Sequence, residues 1–176
     1  MSWQSTVSYY KAINEGVCAA LGGLHSAKIC LVSVDFAEIE KLQQQNQWEK
    51  SAIILANAAK SLQLAGADYV LICTNTMHKV APQIEEAIDI PLQHIADSTA
   101  EKLVLDGVKK VGLLGTRFTM QQDFYKARLI NHYAIDVLVP NQNEQDCIHQ
   151  IIYDELCLGV IKQESRDKYL EIIERL

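Results

Sequence analysis

The sequence predicts an α/β fold built as two similar small domains, each a parallel sheet flanked by helices, with the active site in the cleft between them. Three observations carry that prediction. Short apolar runs alternate with apolar-periodic stretches of about 10 to 15 residues, the rhythm of strand, helix, strand that implies right-handed crossovers and parallel pairing. The strand-like runs are continuously apolar, as in AGADYVLI, which suits strands covered on both faces. Two of them, VLICTNT and VGLLGTRFT, end in small polar residues that run into a helix, the place where parallel sheets bind ligands. A seam near residues 97 to 110 separates these two, so the expected domains are 1–98, carrying ICTNTMH, and 99–176, carrying LLGTRFT and incomplete at its C-terminus.

Taken in order, MSWQST opens on a loop entering a helix, with no strand before it. SAKICLVSVDF (26–36) reads as a strand, and LQQQNQWEK (42–50) as a polar turn. SAIILANAAKSLQLAG (51–66) is an apolar-periodic helix stopped by Gly66. ADYVLICTNT (67–76) is the next strand, followed by a helix over 80–87 and a short strand at PLQHIAD (91–97). STAEKLVLDG starts as a helix at Asp97-Ser98-Thr99, whose side chains can cap, and stops at Gly107. KKVGLLGT (109–116) reads as a strand, MQQDFYKARLINHY (120–133) as a helix and IDVLVP (135–140) as a strand. Two helices close the chain, NEQDCIHQIIYDELCLG (143–159) and SRDKYLEIIERL (165–176).

Composition narrows the function. Of the 176 residues 49% are apolar and 22% charged, with 8 Gly and 3 Pro, which describes an ordered globular protein. A net charge of −6 without a clustered basic face argues against nucleic acid as a partner. No window approaches the roughly 20 apolar residues of a membrane span, and the N-terminus lacks a signal core, so no membrane partner and a cytoplasmic location are expected. The five cysteines, Cys18, Cys30, Cys73, Cys147 and Cys157, form no C-x-x-C pair. Reduced thiols are expected, with no metal site.

Chemistry concentrates in ICTNTMH, where Cys73, Thr74, Asn75, Thr76 and His78 follow one another. Read alone, Cys73 could be a small buried hydrophobe, Thr74 to Thr76 a helix cap, and His78 a hydrogen-bonded structural residue. LLGTRFT could cradle a phosphate but lacks the G-x-G-x-x-G spacing. Arg117 is expected to be solvent-facing or paired, and Trp3, Trp48, Tyr9 and Tyr10 to serve packing.

MSWQST, VLICTNTMH, HIADST and LLGTRFT, in this order, resemble the aspartate/glutamate racemase family, amino-acid racemases that use no pyridoxal phosphate. The resemblance runs the length of the chain. It implies two α/β domains enclosing a small amino-acid substrate, no cofactor, and a homodimer. It also implies two cysteines on opposite faces of the α-carbon, one thiolate removing the proton and the other thiol returning one. Inversion needs an acid and a base on opposite faces, and a thiolate is a suitable base in a dry site.

The chain departs from the family pattern in three ways. It begins at the Met of the family's Gly-Gly-Met, and it ends before the expected Gly-Cys-Thr-Glu that carries the second cysteine; the 176 residues are therefore expected to be part of a longer protein, with a truncated gene product as the alternative. Cys147 and Cys157 follow no strand and are poor substitutes. The third departure is that Thr74, not cysteine, directly precedes Asn-Thr-x-His, with Cys73 one place earlier. One step along a strand turns a side chain to the other face, which puts Thr74 in the acid/base position and Cys73 in the packing. A bulge at Cys73 would reverse that assignment.

The resemblance further implies that Asn75, Thr76, Thr116 and Thr119 bind the substrate's carboxylate. Met1 and Ser2 match a loop of the site, and Gln43 is a weaker candidate for the substrate side chain. Dicarboxylate-selective members place Arg and Lys near positions that are Phe36 and Cys157 here, which leaves room for a broader substrate range. The expected function is thiol-based racemisation of aspartate, glutamate or a related L-amino acid. An inactive carboxylate-binding member of the fold, or a relative such as hydantoin racemase or maleate isomerase, is the alternative.

Overall fold

A computed structural model describes residues 2–176 and divides after Gln93 into two compact units, the second being His94–Leu176. The expected boundary at residue 98 falls inside helix α5 (Ile95–Leu105).

The first unit runs α1 (Trp3–Leu21), α2 (Phe36–Gln44), α3 (Trp48–Leu64), β1 (Val70–Leu71), a 3-10 turn at Thr76–Val80, α4 (Ala81–Glu85) and β2 (Leu92–Gln93). β1 and β2 pair in parallel, Val70 opposite Leu92 and Leu71 opposite Gln93. Parallel neighbours need a crossover connection, and the 3-10 turn with α4 supplies it. α3 buries Trp48, Ala52, Leu55 and Ala59, while Val80, Ala81 and Ile84 form the buried face of the crossover. Lys79 lies with its ammonium 4.0 Å from the Trp48 ring centre, so the tryptophan serves packing, as expected.

Two expectations are corrected in this unit. Residues 26–36 form no strand: 24–35 make no ladder, and Ile29, Leu31 and Val32 stay exposed. A strand exists only where a neighbour takes its main-chain bonds, and the described residues offer this run none. Phe36 instead opens α2, because the Asp35 carboxylate accepts from the Ala37 amide at 3.0 Å and caps the helix. The expected turn at 42–50 is accordingly helical at both ends, with α2 running to Gln44 and α3 starting at Trp48.

The second unit runs α5, β3 (Lys110–Gly112), α6 (Arg117–Gln121), α7 (Asp123–Tyr133), β4 (Asp136–Leu138), α8 (Gln142–Asp154), a 3-10 turn at Leu156–Leu158 and α9 (Gln163–Glu174). β3 and β4 pair in parallel from Lys110–Asp136 to Gly112–Leu138. Ala96, Ala100, Tyr125, Leu129 and Ile135 form one buried cluster; Met120, Ile148 and Ile172 form another. α5 begins earlier than Asp97-Ser98-Thr99 suggests, since the His94 ring accepts from the Ala96 amide at 3.2 Å. The helix expected over 120–133 is two helices, broken where Gln122 turns extended at φ −90°, ψ 157°.

α8 starts with a capping box, Asn141 and Glu144 each bonding the other's amide at 3.1 Å. At its far end the Glu155 carboxylate accepts from the Ser165 hydroxyl at 2.8 and 3.0 Å and faces Lys162 at 3.4 Å, tying α8 to α9.

Two stability predictions arise here. Ala134 ends α7 at φ 53°, ψ 39°, a left-handed conformation that costs a Cβ-bearing residue about 1 kcal/mol or more. Ala134→Gly should raise the urea midpoint, with a gain of roughly 0.5–1 kcal/mol after the larger unfolded-state entropy of glycine. Tyr169, packed on the Met120 cluster, has its phenol pushed up to about 12, chiefly by burial and then by Cys147 and Glu155. A neutral group whose folded pKa is raised stabilises the fold fully below its ordinary value near 10, and that contribution is lost as pH rises through about 12. Alkaline titration followed at the tyrosinate absorbance should show late-titrating tyrosine, and Tyr169→Phe should remove the part of it that titrates near 12.

Candidate functional site

In the first unit the chain after β1 does not continue as a strand. The Thr74 amide donates to the Ile72 carbonyl at 2.8 Å, a bond across a single residue that makes a γ-turn centred on Cys73. The main chain then enters the 3-10 turn at Thr76, with Asn75 at its N-cap position.

The turn is held from two sides. From α1, the Ser5 hydroxyl lies 2.8 Å from the Cys73 carbonyl and 2.9 Å from that of Ser2, while the Thr6 side chain acts on the Cys73 thiol to favour its ionised form. From the crossover, buried His78 reaches the Thr74 carbonyl through Nδ1 at 2.8 Å. A carbonyl only accepts, so Nδ1 carries the proton. His78 is therefore a clamp on the motif's own backbone, the hydrogen-bonded structural role expected of it.

Burial pushes the half-buried Cys73 thiol up from its ordinary value, and the Thr6 hydrogen bond works against that shift without reversing it. The thiol is thus held largely neutral near pH 7. Thr74 is partly exposed and Asn75 exposed, whereas Thr76 is buried. Gln43 is 3% exposed and its amide donates to the Met77 sulfur at 2.9 Å, which ties it to the packing beneath the motif. Ser2 reaches the cluster through Ser5; Met1 lies outside the described residues.

In the second unit LLGTRFT does what its residue types allow. Thr116 caps α6, its hydroxyl accepting from the Thr119 amide at 3.3 Å, and the two hydroxyls lie 3.2 Å apart. A Cβ on Gly115 would stand 3.2 Å from that of Thr119, so the close approach depends on glycine. Thr119 is 1% exposed, leaving Thr116 as the more accessible of the pair. Arg117 is paired: its Nε donates to Asp146 at 2.9 Å, and its amide to Nδ1 of His149 at 3.2 Å.

Sequence reasoning missed Ser5, Thr6 and His149. For the first two the signal was present in the hydroxyl-rich MSWQST. His149 carried none, because it reaches Arg117 from a helix 32 residues away.

Strand ends that carry hydroxyl, amide and thiol groups stand on two α/β units with short parallel sheets, the place where folds of this class bind ligands, and no described helix is long and apolar enough to cross a membrane. The comparisons make this specific. The Asp/Glu/Hydantoin racemase family matches residues 1–176, and the chain belongs to that family. It is 32% identical over 124 residues to the broad specificity amino-acid racemase RacX of Bacillus subtilis, an alignment covering 70% of this chain and 50% of RacX. The chain thus spans about half the length of that curated relative. Among solved structures, one assigned to the Asp/Glu racemases from Yersinia pestis matches with a TM-score of 0.89 at 53% identity, covering 99% of this chain and 76% of that one. An aspartate racemase homologue from Pyrococcus horikoshii matches with a TM-score of 0.79 at 34% identity, covering 98% and 74%.

Proposed function

We propose that the protein is an amino-acid racemase that moves the α-proton of aspartate, glutamate or a related L-amino acid without a cofactor. The observation that carries this reading is the turn at Cys73–Thr74, in a member of the racemase family, where a thiol and a hydroxyl stand side by side on a backbone pinned by Ser5 and His78. Such a clamp fixes a proton-transfer group against the reacting carbon, as general acid catalysis requires.

Thr74 is assigned the substrate-facing role. The Cys73 thiol sits at the centre of the γ-turn, and burial pushes it up from its ordinary value, which makes it a poor base. A threonine hydroxyl does not ionise near neutrality but can deliver a proton. Asn75 and Thr76 of the first unit and Thr116 and Thr119 of the second are assigned to the carboxylate, Ser2 to the loop of the first unit and Gln43 to packing. The likeness to a broad specificity racemase, together with Phe36 and Cys157 where selective members carry cations, supports a substrate range wider than aspartate. A cytoplasmic homodimer belongs to the same reading, and light scattering tests the dimer.

The test is α-proton exchange of L- and D-amino acids in deuterated buffer, followed by proton NMR. Exchange of the L forms alone supports the reading with Thr74. Exchange of both enantiomers returns Cys73 to the site. No exchange with measurable binding favours a second reading, a carboxylate-binding member without chemistry, for which the neutral thiol speaks.

A further inference from the structure

The Thr116–Thr119 loop is short, and its shape depends on where its first amides go. Thr116 satisfies the Thr119 amide from within the loop. The Arg117 amide, first of α6, is satisfied from outside it, by Nδ1 of half-buried His149 on α8. The same face of α8 takes the Arg117 side chain through Asp146, one turn before His149. Phe118 packs edge-on to the imidazole, with ring centres 5.9 Å apart at 78°, and Tyr153 closes its other side at 4.7 Å. An amide only donates, so Nδ1 must be the unprotonated nitrogen.

We infer that His149 is the positioning residue of the carboxylate-binding loop, and that it holds the loop only while its ring is neutral. This rests on the assignment of Thr116 and Thr119 to the substrate carboxylate. Protonation turns the acceptor into a donor facing an amide and sets a cation beside the Arg117 guanidinium. The groups facing the ring are Arg117 from α6, and Asp146, Tyr153 and Asp154 from α8. Burial, then Arg117, hold the imidazolium form below its ordinary value, with Asp146 and Asp154 opposing. The anchor is therefore intact at pH 7 and fails as pH falls below the ordinary histidine range near 6.5. Substrate affinity should weaken on the acid side while the proton-transfer rate constant is unchanged.

The test uses the whole chain and three proteins: wild type, His149→Asn and His149→Ala. Asparagine offers Oδ1 near the place of Nδ1 and cannot be protonated. In wild type the Arg117 amide resonance should move with the His149 ring titration; in His149→Asn it should be flat from pH 5 to 8. KM for the exchanged amino acid should rise about tenfold for His149→Ala at pH 7, the order of one lost hydrogen bond. For His149→Asn it should stay within about threefold and lose its acid limb. An Arg117 amide that ignores the ring titration overturns the inference, as does an acid limb that persists unchanged in His149→Asn. If no amino acid binds or exchanges, the functional reading falls, and the amide titration still decides whether His149 governs the loop.

Discussion

Thr74→Ala should lower the conversion of L- to D-amino acid by ~10²- to 10⁴-fold, the usual worth of a positioned proton-transfer group. Circular dichroism should be unchanged, since Thr74 is partly exposed and its contacts to the fold are made by its backbone. α-Proton exchange of the L form should survive, because the base that takes and returns that proton is the thiolate the family places on the opposite face, which does not need the hydroxyl. That split between lost racemisation and retained exchange separates a proton donor from a structural residue, which would lose both. Thr74→Cys carries the complementary expectation. A thiol is far more acidic than a hydroxyl and can act as a base, so exchange of the D form should appear. Cys73→Ser should change either rate by less than about tenfold, far below the effect of a catalytic proton-transfer group. A larger loss at Cys73 than at Thr74 would sink the assignment.

Met77→Ala should be the most destabilising change in the same motif, at about 3–5 kcal/mol in denaturant unfolding. Met77 is fully buried, and its sulfur takes the amide of buried Gln43. Truncation leaves a cavity beneath the 3-10 turn and removes one partner from a buried polar group. Met77→Leu keeps the volume and loses only the acceptor, so a cost below about 1.5 kcal/mol is expected. Both variants test whether the motif's central residues are floor and its flanking ones chemistry. If Met77→Ala unfolded at the wild-type midpoint, the turn would owe little to its packing.

Much of the fold could be read from local pattern. Gly66 and Gly107 do follow helix ends, and within the strands expected at 67–76, 91–97, 109–116 and 135–140 the shorter runs 70–71, 92–93, 110–112 and 136–138 pair in parallel. The motif spacing was enough to reach the racemase family. The failures have separate physical causes. Residues 26–36 have the composition of a strand, but a strand is a property of two segments, and the described residues give this one no partner. Asp35 caps a helix that was not expected and His94 one whose start was placed at Asp97, because a cap depends on the local backbone angle as much as on residue type. The capping box at Asn141 and Glu144 was legible and passed unread.

At the site the division is the same. Sequence alone determined which residue types stand at the strand ends, that Thr74 precedes Asn75, and that the chain is of α/β type, because these depend on order and periodicity along one segment. Tertiary structure decided what those residues can do. It put a γ-turn at Cys73 where strand alternation had been assumed, buried Thr119 and Gln43, and pushed the Cys73 thiol up by burial. It also brought His149 to the Arg117 amide across 32 residues. Burial and hydrogen bonding between distant segments set proton affinity and side-chain direction, and neither is a property of a residue's neighbours in sequence.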